Sequence, residues 1–278
     1  MAQQIHIPSD IGSCVRRALN EDIGTGDLTA ELLPVDASAT AAVICREQAV
    51  ICGIPWFDEV YRQLDAAVQC SWTCRDGDAI APEQTLCTIS GPLRPILTGE
   101  RTALNFLQLL SATATLTRRF SGLIAGTRTK LLDTRKTIPG LRSAQKYAVA
   151  CGGGTNHRMG LYDAILIKEN HIAAAGSIGQ AVAAAKSLHR HVEVEVETLE
   201  QLTEAIAAGA DTVMLDNFSL DAINTAVTTN AGRVKLEVSG GINADTIAAI
   251  AATGVDYISV GELTKNVRAI DYSMRITG

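Results

Sequence analysis

The second half of the chain alternates short apolar segments with alanine-rich amphipathic segments, and this pattern limits the possible folds most strongly. Apolar segments of strand length lie at 131–133, 164–167, 192–196, 212–215, 234–238 and 257–260, and helix-like segments lie at 178–188, 199–208 and 246–252. The last four strand starts are about 20–23 residues apart, which is typical of compact βα units. The pattern therefore predicts a parallel sheet that closes, or nearly closes, into a barrel. An open doubly wound sheet is the alternative.

Local signals mark the ends of these predicted helices. Thr198 and Gln201 have the spacing of a capping box at the start of one helix. Gly209 and Gly254 follow two others, where glycine commonly ends a helix.

The first hundred residues have a different pattern. A short helix is expected at 11–21, and alternating segments predict strands at 41–44, 68–74 and 85–89. We therefore expect a small α+β domain with antiparallel strands.

A longer helix is expected at 98–120. Thr98 is its candidate N-cap, and Arg101 would then lie in the first turn, where the helix dipole disfavours a cation.

Composition excludes several classes of protein. Of 278 residues, 47% are hydrophobic, which is enough for a sizeable core and argues against disorder. The net charge of −6 argues against a general nucleic-acid binder. The apolar runs are shorter than the roughly 20 residues that span a bilayer, and the N-terminus does not resemble a secretory signal, so we expect a cytoplasmic protein.

The cysteines predict neither disulfides nor a structural metal site. There are seven of them, an odd number, and none forms a C-x-x-C pair. We expect them to be buried and reduced.

One stretch of this acidic chain is basic. Residues 128–171 contain eight Lys or Arg side chains and three Asp or Glu side chains. A locally basic stretch in an acidic chain favours a small anionic ligand over a polyanion.

Polar residues or glycines follow every predicted strand of the barrel. They are Asp133-Thr134-Arg135-Lys136, Lys168-Glu169-Asn170-His171, Glu197, Asp216-Asn217, Ser239-Gly240-Gly241 and Gly261. Because the carboxyl ends of barrel strands meet at one face, these residues predict an active site there. The glycine corner suits a phosphate, and the cations suit carboxylates and phosphates. The glycine loop 151–158 would bring His157 and Arg158 to the same place. Glu197 and Asp216 suit metal-bound water or sugar hydroxyls.

Several segments together resemble the quinolinate phosphoribosyltransferase family. They are residues 21–29 (EDIGTGDLT), 98–105 (TGERTALN), 133–137 (DTRKT), 139–142 (PGLR), 146–148 (KYA), 152–158 (GGGTNHR), 167–171 (IKENH), 194–197 (VEVE), 214–217 (MLDN) and 239–241 (SGG). The resemblance covers nearly the whole chain in order.

The resemblance implies a reaction, a fold and a domain division. Quinolinate and phosphoribosyl pyrophosphate give nicotinate mononucleotide, pyrophosphate and carbon dioxide, with Mg²⁺, at the entry from quinolinate into NAD biosynthesis. The implied fold is α/β, an incomplete, roughly seven-stranded βα barrel beside an N-terminal α/β sandwich. The sandwich would comprise residues 1–105 joined by 266–278, and the catalytic barrel 106–265.

The resemblance also implies roles for individual residues. Quinolinate would be held by Arg101, Thr134, Arg135, His157, Arg158 and Lys168, with Arg101 supplied by the second subunit of a homodimer that shares its sites and that can assemble further. The catalytic residues would be Lys136, Lys168, Glu197 and Asp216, of which Glu197 and Asp216 would also hold the metal, directly or through water. The phosphate groups would be bound by Lys136, Asn170, His171, Asn217, Ser239, Gly240, Gly241, Gly261 and Lys265.

Two other functions fit parts of the same pattern. A Schiff-base aldolase would use Lys168 as its nucleophile and the same phosphate corner. A non-catalytic relative would only bind a phosphorylated metabolite. The neighbouring arginines favour anion binding over the first, and the complete set of acids and bases argues against the second.

Overall fold

The computed structural model of this chain describes residues 5–278. The α-helices are α1 (Ile11–Ile23), α2 (Ile54–Leu64), α3 (Leu93–Leu123), α4 (Arg142–Cys151), α5 (Glu169–Ala175), α6 (Ile178–Lys186), α7 (Leu199–Ala207), α8 (Leu220–Asn230), α9 (Ile247–Ala252) and α10 (Glu262–Lys265). A 3₁₀ turn covers Ala30–Leu32. The strands are β1 (Ser38–Cys45), β2 (Ala49–Val50), β3 (Gln69–Trp72), β4 (Ala79–Ile80), β5 (Thr85–Pro92), β6 (Lys130–Leu132), β7 (Ile165–Ile167), β8 (Val192–Val196), β9 (Thr212–Asp216), β10 (Lys235–Ser239), β11 (Tyr257–Ser259) and β12 (Tyr272–Ile276).

The first of two compact units contains residues up to 118, 137–153 and 266–278. Its main sheet has the strand order β12-β1-β5-β3, and all its pairs are antiparallel, as the sequence predicts. Strand β1 lies at the centre, where Ala41 pairs with Ile276 of β12. Strands β2 and β4 form a separate pair. One face of β1 and the apolar sides of α1 and α2 meet in a core that includes Val43, Trp56 and Phe57.

Helix α3 begins earlier than the sequence predicts. It starts at Leu93 and includes Pro95, so Thr98 is not an N-cap and Arg101 is not in the first turn. Proline is tolerated in the first turn because the N–H groups there have no partner within the helix. Thr98 instead donates from its hydroxyl to Asp27 Oδ2 at 2.8 Å.

The second unit contains residues 119–136 and 154–265. Its sheet has the order β6-β11-β10-β9-β8-β7, and each pair is parallel, which confirms the predicted α/β architecture. Thr155 makes an isolated parallel bridge to Leu132 beside β6. Six strands and this bridge, rather than seven full strands, make up the incomplete barrel among the described residues.

The predicted helix ends of this unit are also present. The Thr198 hydroxyl accepts the Gln201 N–H at the start of α7. The Gln201 side chain reaches back to the Glu197 N–H at 2.8 Å, one residue before the N-cap. Gly209 and Gly254 have φ angles of 79° and 85°, which residues other than glycine rarely adopt.

The domain boundary drawn from the sequence, at 105/106, lies inside helix α3. Helix α3 continues through that point to Leu123, and the division by contacts falls at 118/119. Residues 137–153 also belong to the first unit, although they lie within the segment assigned to the barrel. No helix within residues 5–278 has the length and hydropathy to cross a membrane.

All seven cysteines are free thiols. Five are buried as expected, whereas Cys70 and Cys74 are partly exposed because they lie at the edge strand β3 and just after it. Cys52, Cys151 and Asp76 come within 4.8 Å of one another in the first unit. Burial raises the pKa of the Cys52 thiol, and Asp76 accepts hydrogen bonds from the Tyr147 hydroxyl and the Ile54 N–H. The Cys52 thiol therefore stays protonated, and Asp76 is a hydrogen-bonded part of the core.

Candidate active site

A cavity of about 410 Å³ opens at the carboxyl ends of the parallel strands. It is lined by Asp133, Thr134, Arg135, Lys136, His157, Arg158, Leu166, Lys168, Glu195, Met214, Asp216, Glu237, Ser239 and Ser259. All of these residues belong to the second unit. The cavity therefore lies where a barrel of this class carries its active site.

The structure brings part of the predicted site together. The predicted residues that line the cavity are Thr134, Arg135, Lys136, His157, Arg158, Lys168, Asp216 and Ser239. The predicted residues outside its lining are Arg101, Asn170, His171, Glu197, Asn217, Gly240, Gly241, Gly261 and Lys265. Of the second set, His171 contacts Lys168, Asn217 contacts Ser239, and Gly261 lies against Lys136.

Asp133 at the end of β6 holds the loop that carries His157 and Arg158. Its side chain is fully buried. Oδ1 accepts the backbone N–H of His157 at 2.9 Å, and Oδ2 accepts the side-chain amide of Asn156 at 2.6 Å. A carboxylate that accepts several N–H groups fixes a loop more rigidly than packing alone. This is why a glycine-rich segment presents His157 at a defined position.

Both ring nitrogens of His157 contact protein groups. Nδ1 accepts the backbone N–H of Arg158 at 2.7 Å, and Nε2 lies 2.8 Å from Glu193 Oε2 and 3.4 Å from Glu237 Oε2. Burial by itself disfavours a charged ring, but the hydrogen bonds and charges of the two carboxyl groups outweigh it and raise the pKa of His157 to about 10. His157 therefore binds protein groups on both sides.

Two arginines stand close together at the cavity. Arg158 donates from Nη1 to the Ala164 carbonyl at 3.3 Å. Burial, followed by the positive charge of Arg135, lowers the pKa of Arg158 from its usual value. An arginine remains charged despite such a shift, so the pair concentrates positive charge at one place. Two adjacent guanidinium groups match the geometry of two adjacent carboxylates.

Lys168, at the start of α5, lines the same cavity as Arg135 and Arg158, and the three cations form one cationic wall. Its Nζ lies 2.5 Å from Glu195 Oε2, so the ammonium has a carboxylate partner. A Schiff-base lysine needs a free amine, usually in an apolar pocket or beside another cation, so this pairing favours anion binding. His171 accepts the Lys168 backbone N–H on Nδ1 at 3.0 Å, and Asn170 donates to Glu169 at 2.9 Å. His171 and Asn170 thus stabilise the helix start.

The glycine corner is built as a tight turn against Asn217. Gly240 has a φ of 92°, and a Cβ added there would lie 2.1 Å from Asn217 Oδ1. The Asn217 N–H donates to the Ser239 carbonyl at 3.0 Å. Only glycine fits this position, which leaves Ser239 at the cavity wall. Helix α9 begins only at Ile247, so the turn itself, rather than a helix start, carries the N–H groups.

Gly261 lets the chain pass close to Lys136. A Cβ added at Gly261 would lie 3.0 Å from Lys136 Cδ. The Thr264 hydroxyl donates to the Lys136 carbonyl at 2.8 Å, which holds the backbone of Lys136 beside α10. Lys265 is exposed at the end of α10. Gly261 therefore has a role through contact with Lys136.

Asp216 and Glu197 follow paired residues of neighbouring strands. Val196 of β8 pairs with Leu215 of β9, so the two carboxylates start from the same level of the sheet. Asp216 is half-buried and its Oδ2 accepts the Asn217 amide at 2.8 Å, whereas Glu197 is exposed. Oxygen donors of this kind suit Mg²⁺, which usually keeps several waters and binds one or two carboxylates together with substrate phosphates. The residues present fit a magnesium ion.

Arg101 lies on the exposed side of α3, within the first unit. Arg101 lies beyond the first two turns of this long helix, so the argument from an unfavourable helix start does not apply. Its predicted role therefore depends on the family resemblance.

Three carboxylates were not predicted: Glu195 and Glu237, which line the cavity, and Glu193, which contacts His157. Glu193 and Glu195 alternate with Val192, Val194 and Val196 along β8. This period of two places the valines on one face and the glutamates on the other. The alternation of valine and glutamate is visible in the sequence. It was overlooked because the segment was interpreted as a strand that is apolar on both faces.

Comparison with known proteins identifies the same family that the sequence motifs resemble. The family models "Quinolinate phosphoribosyl transferase, N-terminal domain" and "C-terminal domain" match residues 27–111 and 113–275. A probable nicotinate-nucleotide pyrophosphorylase [carboxylating] of Bacillus subtilis is 44% identical over 260 residues, which cover 92% of this chain and 90% of that protein. The nicotinate-nucleotide pyrophosphorylase [carboxylating] of Mycobacterium leprae is 41% identical over 271 residues, which cover 94% of this chain and 95% of that protein.

A solved structure agrees. The nicotinate-nucleotide pyrophosphorylase from Francisella tularensis is 52% identical, with a TM-score of 0.95 and full coverage of both chains. Its agreement extends to the whole fold and not only to the barrel. The chain belongs to the quinolinate phosphoribosyltransferase family.

Proposed function

We propose that this chain transfers the phosphoribosyl group of phosphoribosyl pyrophosphate to quinolinate, and releases pyrophosphate and carbon dioxide to give nicotinate mononucleotide. This is the reaction that the family resemblance implies and that the names of its relatives describe. It supplies a pyridine nucleotide for NAD biosynthesis, and we place it in the cytoplasm.

One observation carries the proposal: Arg135, Lys136, Arg158 and Lys168 line a single cavity at the carboxyl ends of the barrel strands. The same cavity is lined by Asp216 and bordered by a glycine corner. Cations beside a carboxylate and a tight glycine turn suit a substrate pair made of a dicarboxylate and a phosphorylated sugar.

The cations have separate tasks in this proposal. Arg135, Arg158 and Lys168 bind the two adjacent carboxylates of quinolinate, and Thr134 adds a hydroxyl. His157 supports this wall. Lys136 faces the pyrophosphate of the donor, and its charge stabilises that group as it leaves.

The acids and the glycine corner bind the sugar. Departure of pyrophosphate leaves oxocarbenium character on the ribose carbon, which the nearby carboxylates of Asp216 and Glu197 stabilise. These two residues also accept hydrogen bonds from the ribose hydroxyls. Ser239, Gly240, Gly241 and Gly261 surround the 5′-phosphate, with Asn217 and Lys265 close by.

Asp216 and Glu197 would also hold Mg²⁺, directly or through water. The ion, when bound, neutralises charge on the pyrophosphate group. Once the pyridine nitrogen carries the ribose, its positive charge stabilises the carbanion left when carbon dioxide departs, and this carbon then takes up a proton from water to give nicotinate mononucleotide.

The direct test is pyrophosphate release from phosphoribosyl pyrophosphate that depends on added quinolinate. We expect one equivalent each of pyrophosphate, carbon dioxide and nicotinate mononucleotide. A Schiff-base aldolase would instead be trapped on Lys168 by borohydride with a carbonyl substrate. Borohydride trapping without quinolinate turnover would overturn the proposal.

We further propose that the active unit is at least a homodimer in which Arg101 contributes to the partner's site. Mixing an Arg101→Ala chain with an Arg135→Ala chain should then restore activity, because one of the two sites in each heterodimer has every group. Heterodimers that form without any recovery of activity would contradict the shared site.

A further inference from the structure

The interior of the barrel contains two buried carboxyl groups that the reaction does not use directly. Glu193 on β8 is 3% exposed and Glu237 on β10 is 1% exposed. Their Oε2 atoms both face Nε2 of His157. Their Oε1 atoms are buried and have no hydrogen-bond partner among the described residues. Buried polar atoms without partners are uncommon and costly.

Two ionised carboxylates in this place would be unfavourable. Burial, and then the negative charge of Glu237, raise the pKa of Glu193, although His157 opposes the shift. One retained proton between the two groups removes a buried charge and supplies the missing hydrogen bond. Paired carboxyl groups that share a proton are a known solution to this problem.

The contact on the other side of the His157 ring shows which of its two nitrogens carries the ring proton. The backbone N–H of Arg158 points at Nδ1 of His157 at 2.7 Å. A proton on Nδ1 would face this N–H and lose the hydrogen bond. The ring therefore carries its proton on Nε2 and donates it to the carboxyl groups. The pKa of His157 and the pKa of Glu193 are both raised because the cluster keeps one proton in addition to that of the neutral ring. The Arg158 N–H at Nδ1 disfavours a doubly protonated ring, so this additional proton lies on the carboxyl pair.

The surrounding charges agree with this arrangement. Arg158 lies close enough to Glu193 for their charges to interact, and Arg135 lies beside Arg158. Asp133 holds the His157 backbone from β6. The cluster of His157, Glu193 and Glu237 then has one net negative charge, which the neighbouring arginines balance. A metal ion on Nε2 would require Nδ1 to carry the proton, so the same contact excludes the cluster as a metal site.

We propose that Glu193 and Glu237 form a carboxylic acid–carboxylate pair that retains one proton and fixes His157 as its Nε2–H tautomer. The two glutamates are positioning residues. Through Nδ1 of His157 they fix the backbone of Arg158, and so the guanidinium that faces quinolinate. This last step rests on the proposed function, whereas the protonation of the cluster does not.

The tautomer can be measured without substrate. The full chain contains five histidines, so ¹⁵N-histidine labelling gives a small set of ring signals, and the His157 signals are those missing from a His157→Gln variant. Near pH 7.5 we expect Nε2 to be protonated and Nδ1 to be unprotonated. A doubly protonated ring, or a proton on Nδ1 alone, would overturn the proposal.

Substitutions test the shared proton. In Glu193→Gln or Glu237→Gln the amide replaces the protonated member, and the remaining glutamate keeps the charge. We expect each single variant to lower kcat/KM for quinolinate by about threefold and the double variant to lower it by about a hundredfold, a strongly non-additive result. The double variant should also lose the Nε2–H signature of His157 and raise KM more than it lowers kcat.

The outcomes separate this proposal from the proposed function. If each single variant loses as much activity as the double variant, the carboxyl groups do not share a proton and the proposal is wrong. If the wild-type chain shows the expected tautomer but does not turn over quinolinate, the proposed function fails and the proton pair stands.

Discussion

Both ends of the parallel sheet carry charged residues, but the two ends use them differently. At the amino ends, Asp256 accepts the Leu236 N–H at 3.1 Å and the Lys235 ammonium at 2.8 Å. Asp211 accepts the Val192 N–H at 2.8 Å in the same way. Each carboxylate thus stabilises the contact between two neighbouring strands. Their partner cations, Lys235 and Lys186, are exposed at the surface.

At the carboxyl ends, the cations face a cavity. Arg135, Lys136, Arg158 and Lys168 all line it, and two of its carboxylates, Asp133 and Glu237, are buried beneath them. The difference shows that a charge count does not identify a site. The carboxyl end differs because several cations surround one cavity, where a bound anion would neutralise their positive charge.

The largest effect should come from removing a lysine at the carboxyl end. Lys168→Ala should lower kcat/KM for quinolinate by about a thousandfold, as expected when a donor to a substrate anion is lost. Lys235→Ala at the amino end is the matched control, because Lys235 also pairs with a single carboxylate. Steady-state kinetics should place the control within about threefold of wild type. Equal losses in both variants would remove the distinction between the two ends.

The second prediction concerns the substrate that the carboxyl end selects. Nicotinate lacks the carboxylate at C2, so part of the positive charge of Arg135, Arg158 and Lys168 would face the bound substrate with no substrate carboxylate opposite it. An unpaired buried charge costs about 3–5 kcal/mol, so kcat/KM for nicotinate should be at least about a hundredfold lower.

Two further comparisons sharpen this test of selectivity. Phthalate keeps both carboxylates but has no ring nitrogen, and should inhibit without reacting. Arg158→Lys keeps the charge but loses the planar fork, and should still impair use of quinolinate. Equal turnover of nicotinate and quinolinate would show that this end does not recognise a dicarboxylate.

The third prediction concerns the amino end. Asp256→Ala removes the acceptor of the buried Leu236 N–H and should lower the free energy of unfolding by about 1–3 kcal/mol, with kcat/KM nearly unchanged. Denaturant unfolding and steady-state kinetics on the same preparation check both parts. A large loss of activity with normal stability would assign the amino end a functional role.

The smallest expected effect lies between the two ends, at His157. The folded chain keeps the proton of this cluster up to a pH of about 10, whereas an unfolded histidine releases it near 6.5. The unfolded state therefore binds fewer protons in this window, and the free energy of unfolding should fall as pH rises, by up to about 1.4 kcal/mol per pH unit. Glu193→Gln/Glu237→Gln should flatten this dependence in denaturant titrations at pH 7, 8 and 9. A slope unchanged in the double variant would assign it to other groups.

The sequence predicts the barrel well and its interior poorly. The six parallel strands lie within two residues of their predicted bounds, because buried apolar runs between helices have few other conformations. Helix α3 begins before its predicted start at 98, because its first turn accommodates Pro95, and a proline there leaves no local signal of a helix. The contact between His157 and Glu193 joins residues 36 positions apart, and no local pattern indicates such a pair. The strand-end cations were found because their position after each strand is a local property.

The pairing of β12 with β1 has a consequence for the order in which the chain folds. Ala41 cannot meet Ile276 until the whole barrel segment between them has been synthesised. The sheet of the first unit thus forms only after residues that follow the barrel segment have been made, when all six barrel strands are already available. Long-range pairings of this kind are slow to form because a large loop must close first. During translation, β1 would therefore expose one unpaired edge until the barrel segment is complete, so this edge is where aggregation of a nascent chain would begin.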